Sequence, residues 1–217
     1  MTNKISALLF DLDGTLLDTN ELIIGTFSHV LNKHFPGQYG REEILPFLGP
    51  TLHDTFNKVD PENVEALVAE YREWNIAKHD ELASEFDGVS ETLNLLKAQG
   101  FKMAVVSTKK NNMVMRGLDL LDVDGIFDVV IGLDDVTNPK PDPEPILLAL
   151  DRLGAKKEEA LMIGDNFHDV EGGQNAGVRT AGVAWTIKGE AFLQTFNPDY
   201  MLQHISDLLR IVEETNK

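Results

Sequence analysis

The sequence predicts an α/β fold, a doubly wound parallel sheet interrupted by one all-helical insertion. Three observations predict it. Short, unbroken apolar runs recur along the chain, helical patterns separate most of them, and acids, hydroxyls and a lysine stand at or just beyond the ends of those runs. Continuous apolar runs suit strands buried on both faces. Strands alternating with helices argue for a parallel sheet, and such sheets bind ligands beyond the carboxyl ends of their strands.

Each element has its own signal. Ile5–Phe10 is the first run, and it ends at Asp11 and Gly14. Residues 17–82 then break the alternation. ELIIGTFSHVLNKHF, EEILPFL, TLHDTFNKV and ENVEALVAEYREWNIAKH all read as helices, the last with Val64, Leu67, Val68, Tyr71 and Trp74 on one face. An all-helical insertion at 17–82, with 1–16 and 83–217 forming the sheet domain, is the simplest account. The junctions, Leu16–Asp18 and Leu82–Phe86, are the expected hinges. Val89–Ala98 repeats apolar residues at 89, 93 and 96 and stops near Gly100. Met103–Val106 and Phe127–Ile131 are the next strands. In DPEPILLALDRLG, Asp142 is expected to cap a helix, Pro143 to take its first position and Gly154 to lie just past its end. Ala160–Ile163 and Val178–Trp185 are the remaining strands.

Composition narrows the function. The chain has 217 residues, enough to bury a large core, and its 42% hydrophobic content is ordinary for a globular protein. It has no Cys, which excludes a disulfide framework, a thiolate metal site and a Cys nucleophile. The first ten residues lack a signal-peptide core, and no run is long enough to span a bilayer. The expected compartment is the cytoplasm, with no membrane partner. With 36 acids against 19 bases, a formal charge of −17, nucleic acid is not an expected partner either. A solvated acidic surface explains such a charge. Clustered carboxylates that need a cation are the other explanation.

Four segments carry candidate chemistry. In ALLFDLDGTLLDT, Asp11 and Asp13 stand two apart at a strand end, where alternate side chains share a face. Carboxylates that close repel, and a nearby cation lets both stay ionised. An Asp-Gly turn with incidental acids fits the same residues. In MIGDNFHDV, Asp165 and Asp169 are four apart and share a face if a helical turn starts there. Asp165 also fits a helix cap, and His168 reads as a bystander. Hard oxygen ligands of this kind suit Mg²⁺, which binds phosphate oxygens as well. In VVSTKK, Ser107 and Thr108 offer donors to an anion at a strand end, although both residue types are common caps. In NPKPDPEP, Lys140 sits on a loop stiffened by Pro139 and Pro141, placed either to hold a phosphate or carboxylate or to face solvent. Acids, a cation, hydroxyls and an implied metal together are the equipment of phosphoryl transfer.

This ordered set, DLDGT, a Ser/Thr-ending strand, a lysine loop and GDxxxD, resembles the haloacid dehalogenase superfamily over nearly the whole chain. The resemblance implies a Rossmann-like core, with the helical insertion as its cap domain. It implies Asp11 as the nucleophile that forms an aspartyl-phosphate, and Asp13 as general acid and then general base. Ser107 and Lys140 would hold the transferring phosphoryl group, with Thr108 contributing mainly backbone. Asp11, the Asp13 carbonyl and Asp165 would bind Mg²⁺, and Asp169 would orient a metal-bound water. Members that cleave carbon–halogen bonds lack an acid at the Asp13 position, so Asp13 favours a phosphatase or a phosphomutase.

The cap is less informative. Gly49 and Thr51 in FLGPTLHDTF fit a substrate loop or a plain helix–helix turn. Lys33, Arg41, Lys58, Arg72 and Lys78 are its cations, most of them expected to face solvent, and Lys109 is better placed to meet a second phosphate. NELIIGTF, PGQYGREEILPFLGPTLHDTF, DDVTNPKPDPEP, GDNFHDV and GVAWTIKG together look like PpaX-type pyrophosphatases within the superfamily. That resemblance implies hydrolysis of inorganic pyrophosphate, with phosphoglycolate or another small phosphomonoester as the alternative. A phosphomutase would keep the same core residues but shield the phosphoenzyme from water. A phosphorelay module would share the acids and lysine but be shorter and lack the insertion.

Overall fold

Leu8 and Phe10 point to one side of the first strand and Ala7 and Leu9 to the other, and all four are buried. That is why this run is apolar at every position rather than at alternate ones. The computed structural model describes residues 4–121, 123 and 125–217. The first strand is β1 (Ala7–Phe10), followed by β2 (Leu17–Asp18), then the helices α1 (Asn20–His34), α2 (Arg41–Ile44), α3 (Leu52–Val59) and α4 (Val64–Leu82). After β3 (Ser84–Glu85) the chain alternates α5 (Val89–Ala98), β4 (Lys102–Val106), α6 (Asn111–Leu118), β5 (Val129–Ile131), α7 (Glu144–Leu153), β6 (Ala160–Gly164), α8 (Phe167–Ala176) and β7 (Arg179–Val183). It ends with α9 (Glu190–Gln194), β8 (Tyr200–Leu202) and α10 (Asp207–Asn216). Two compact units result, Met1–Leu17 with Glu85–Lys217, and Asp18–Ser84.

In the first unit, the described residues form a six-stranded sheet in the order β5-β4-β1-β6-β7-β8, with every pairing parallel. The order reverses at β1, which lies between β4 and β6. Phe10 stands opposite Val105 on one side and Ile163 on the other. The three central strands therefore end level, and the loops beyond them leave from one edge of the sheet. An open α/β sheet offers its ligand crevice at that switch point.

Most departures from the expected bounds have local causes. Val178 is not in a strand. Its N–H bonds Gly173 O at 3.0 Å, closing α8 behind Gly177, which has a φ of +75°. Ile5 exchanges hydrogen bonds with the Asn216 side chain rather than joining the ladder. The Asp128 carboxylate takes the Met103 N–H at 2.9 Å, and β5 starts one residue later. α7 begins at Glu144, two residues after the expected cap and one after its expected first residue. Pro143 is the cap residue, and the Asp142 carboxylate accepts the Glu144 N–H at 2.9 Å. Gly154 closes that helix as expected.

In the second unit the expected helix over EEILPFL is shorter. Pro46 has no N–H to give, and Leu45–Phe47 is a 3₁₀ turn. Phe27 anchors the packing, with Tyr71, Phe47 and Phe56 rings 4.7, 5.4 and 5.6 Å away. The buried stripe of α4 runs through Leu67, Val68 and Tyr71 and continues as Asn75 and His79. Asn75 Nδ2 donates to Thr26 Oγ1 at 3.1 Å. Trp74 is only half-buried and stacks on His29.

Candidate active site

The chain leaves the sheet edge at three neighbouring points and sets a polar group at each. Asp11 comes directly after β1, and its N–H still serves the sheet by donating to Ile163 O at 2.9 Å. Ser107 comes after β4 and donates its N–H to Ile131 O at 2.9 Å. Asp165 comes after β6. All three are buried, as are Lys140 and Asp169.

Lys140 ties the centre together. Its ammonium donates to Asp11 Oδ1 at 2.7 Å, to Asp169 Oδ1 at 2.6 Å and to Val106 O at 2.6 Å. These are the three bonds an ammonium can make. The alternative of a solvated surface lysine is excluded, since its side chain is 2% exposed. Asp169 is fixed from both sides, because its Oδ2 accepts the Asn166 N–H at 3.0 Å at the start of α8. Asp165 is not the cap of α8; Asn166 holds that position. Nor do Ser107 and Thr108 cap α6, which starts behind Lys110.

Carboxylate oxygens of Asp11, Asp165 and Asp169 all lie within 4.8 Å of one another. Burial pushes Asp11 up to about 7, the charges of Asp169 and Asp13 add to this, and Lys140 opposes it. Asp165 is raised well above the carboxylate range by burial and by repulsion from Asp11 and Asp169. Burial pulls the Lys140 ammonium down, but Asp11 and Asp169 more than offset this and hold it above the usual lysine range. Asp11 and Asp165 are thus under-neutralised, and together with Asp169 they offer hard oxygen donors. That donor set fits a divalent cation. Gly14 permits the arrangement. It turns the chain at φ +81°, and a Cβ there would lie 2.5 Å from Asp165 Oδ2.

Asp13 goes elsewhere. Its carboxylate is not in the three-acid cluster, and Lys109 Nζ donates to its Oδ1 at 2.6 Å. The expected pair Asp11 and Asp13 thus meets two different lysines. His168 Nδ1 lies 3.0 Å from Asn166 Oδ1, and its ring packs on Phe167. In the helical unit Thr51 is the cap of α3, accepting the Asp54 N–H at 3.1 Å, and Gly49 turns the chain just before it. Lys33 pairs with Glu70, Arg41 with Glu21 and Lys78 with Glu81, while Lys58 is exposed and Arg72 half-buried.

One cation was not expected. Lys188 acts electrostatically on Asp165 and Asp169, and its ammonium lies 5.9 Å from the Phe167 ring centre and 5.8 Å from that of Phe192. Burial pulls it below the usual lysine range, against the two carboxylates. It lies in the loop after β7, and strand ends were the signal that found the other residues. Applied to Val183, the same rule reaches Lys188.

This geometry can be set against known proteins. A family model described as haloacid dehalogenase-like hydrolase matches residues 8–183. Pyrophosphatase PpaX of Bacillus cereus (strain AH820) is 54% identical over 214 residues, covering 99% of both chains. A haloacid dehalogenase-like hydrolase structure from Bacteroides fragilis superposes with a TM-score of 0.88 at 32% identity, covering 94% of this chain and all of that one. A structure named as a phosphoglycolate phosphatase, from Haemophilus somnus 129PT, superposes with a TM-score of 0.84 over 97% of this chain and 99% of that one; at 21% identity the likeness is one of fold. A parallel sheet whose switch point gathers three acids and a lysine, matched along most of its length by that family model, places this chain among the haloacid dehalogenase-like hydrolases.

Proposed function

We propose that this hydrolase splits inorganic pyrophosphate into two phosphates in a Mg²⁺-dependent reaction that passes through an aspartyl-phosphate on Asp11. The observation that carries the proposal is the meeting of Asp11, Asp165, Asp169 and Lys140 at the β1, β4 and β6 ends, with Ser107 just beyond β4. The 54% identity to pyrophosphatases supports the substrate.

Asp11 and Asp165, with the Asp13 carbonyl, would hold Mg²⁺, and Asp169 would orient a water on it. Bound there, Mg²⁺ neutralises phosphoryl charge and lets Asp11 react as a carboxylate. Lys140 orients Asp11 through Oδ1 and, with Ser107 and the Thr108 backbone, receives the phosphoryl group. The Asp11 carboxylate attacks the terminal phosphorus. The bridging P–O bond breaks, and its electron pair leaves with the departing phosphate. In the second step water attacks the aspartyl-phosphate, Asp13 takes the water proton, and the P–O bond to Asp11 breaks to free the second phosphate. Covalent catalysis of this kind divides one hard displacement into two. Residues 18–84 are assigned the part of a cap that selects substrate.

The test is phosphate release with Mg²⁺, offering pyrophosphate and phosphoglycolate side by side. We expect pyrophosphate to be preferred and Asp11→Asn to lose about 10³-fold or more. Turnover by Asp11→Asn at the wild-type rate would remove the nucleophile assignment. Preference for phosphoglycolate would move the substrate to that phosphomonoester.

A further inference from the structure

Lys109 makes and breaks no covalent bond in either chemical step, yet its pair with Asp13 is built rather than incidental. The two side chains are 19% and 16% exposed. The Lys109 backbone is clamped on both sides, with its N–H on Ser107 Oγ at 3.2 Å and its carbonyl accepting from Leu133 N–H at 2.8 Å. Two acids secure the next turn. Asp134 accepts the Asn111 N–H at 3.0 Å, and Asp135 accepts from the Asn111 side chain at 2.8 Å. Asp135 is itself held by the Gly132 N–H and by Arg152, each at 3.0 Å. The neighbouring Lys110, by contrast, is 45% exposed and pairs loosely with Asp134 at 3.8 Å.

We propose that Lys109 determines specificity by reading negative charge on the leaving group. It holds Asp13 Oδ1 in this structure and passes to the anionic oxygens of the departing group during the first step. The inference rests on the roles of Asp11 and Asp13 in the proposed reaction. Ser107, which receives the transferring phosphoryl group, bonds the Lys109 backbone, and Asp13, the acid that the family resemblance assigns to the leaving group, accepts from the Lys109 ammonium. Lys109 therefore lies where the leaving group must go.

Chemistry gives the cation a task there. When pyrophosphate protonated on the departing side is cleaved, the bridging oxygen keeps the electron pair of the broken P–O bond and leaves as hydrogen phosphate. The conjugate acid of that group titrates near neutrality, so it needs little proton delivery from Asp13. It does need charge neutralisation, which a fixed ammonium supplies. An alkyl ester with no other ionised group makes the opposite demand, since its alkoxide requires a proton and carries no further charge. Lys109 bound to Asp13 suits the first kind of substrate.

The experiment compares substrates whose leaving groups differ in charge. Pyrophosphate and phosphoglycolate supply leaving groups with further charged oxygens, and p-nitrophenyl phosphate supplies one without them. The readout is the ratio of kcat/KM for the better anionic substrate to that for p-nitrophenyl phosphate, in wild type, Lys109→Met and Lys109→Gln. Each ratio comes from one preparation and is independent of the fraction folded. Both substrates lose rate in the variants because Asp13 loses its bond from Lys109, but the ratio is expected to fall about 10- to 100-fold, the worth of one charge-assisted hydrogen bond. A ratio within about threefold of wild type, well short of that bond's worth, overturns the inference. So does a wild type that cleaves p-nitrophenyl phosphate and neither anionic substrate. A wild type that prefers phosphoglycolate overturns the pyrophosphate reading alone and leaves the Lys109 ratio to be read on that substrate.

Discussion

Lys140 concentrates the energetics of the site in one side chain. Lys140→Met would leave Asp11 and Asp169 buried without their shared partner, a loss of about 3–5 kcal/mol by analogy with broken buried pairs. Urea denaturation in EDTA should show this, and an unchanged midpoint would mean that both acids are already protonated there. Asp11 adds a pH dependence. Burial raises it from the ordinary carboxylate range to about 7 in the folded chain, and the folded chain therefore holds a proton that the unfolded one has released. Stability from this source is present below the ordinary carboxylate range and lost as pH rises through 7. Asp165 acts in the same direction. In EDTA the Tm should fall between pH 5 and pH 7.5, and Asp11→Asn should flatten that fall. Asp11 and Asp165 were legible in the sequence because each directly follows an apolar strand, Asp169 because it stands four residues after Asp165, and Lys140 because prolines flank it. The pairing of Asp13 with Lys109 was not, since side-chain partners 96 residues apart leave no trace in spacing. Lys188 was missed because its loop carries no second acid or Gly-Asp signal to mark it.

At the scale of elements, α8 shows how helix packing sets the site. Gly172 and Gly173 are adjacent in sequence but face different surroundings. A Cβ on Gly173 would come within 2.5 Å of Thr180 Cγ2 on β7, so the helix touches the sheet there through backbone. A Cβ on Gly172 would meet Ile146, Lys140 and Pro141 atoms at 3.4 to 3.6 Å, which is ordinary contact. Gly172→Ala should therefore stabilise the protein by about 0.5–1 kcal/mol through helix propensity. Gly173→Ala should cost about 1–3 kcal/mol through overpacking. It should also reduce turnover, because α8 carries Asp169 in its first turn. Equal midpoints for the two variants in urea would refute the close approach. The apolar runs predicted all the central strands because burial on both faces forbids polar interruptions. β8 and α10 were not read, since β8 spans only Tyr200–Leu202 and polar residues outnumber apolar ones in α10. Strand ends shifted where a side chain or helix cap took over a backbone bond, as at Asp128 and Val178.

For the whole molecule, the question is what a net charge of −17 does to a protein that binds an anion. Diffuse surface charge destabilises the compact state by self-repulsion, and any salt relieves it. The three-acid cluster behaves differently, because it is buried and its repulsion is local. Asp165→Asn separates the two effects. NaCl should raise the Tm of wild type and variant by similar amounts, since one charge in the total hardly changes the surface. Mg²⁺ at matched ionic strength should add a further increment in wild type, about 2.7 kcal/mol at a hundredfold excess over its dissociation constant. In the variant that increment should be lost or much reduced, because one carboxylate of the set is gone. A Mg²⁺ increment of equal size in both proteins would place the ion on the acidic surface. The cluster would then have to be neutralised by Lys140 and Lys188 alone, and the metal-dependent reaction would lose its structural basis.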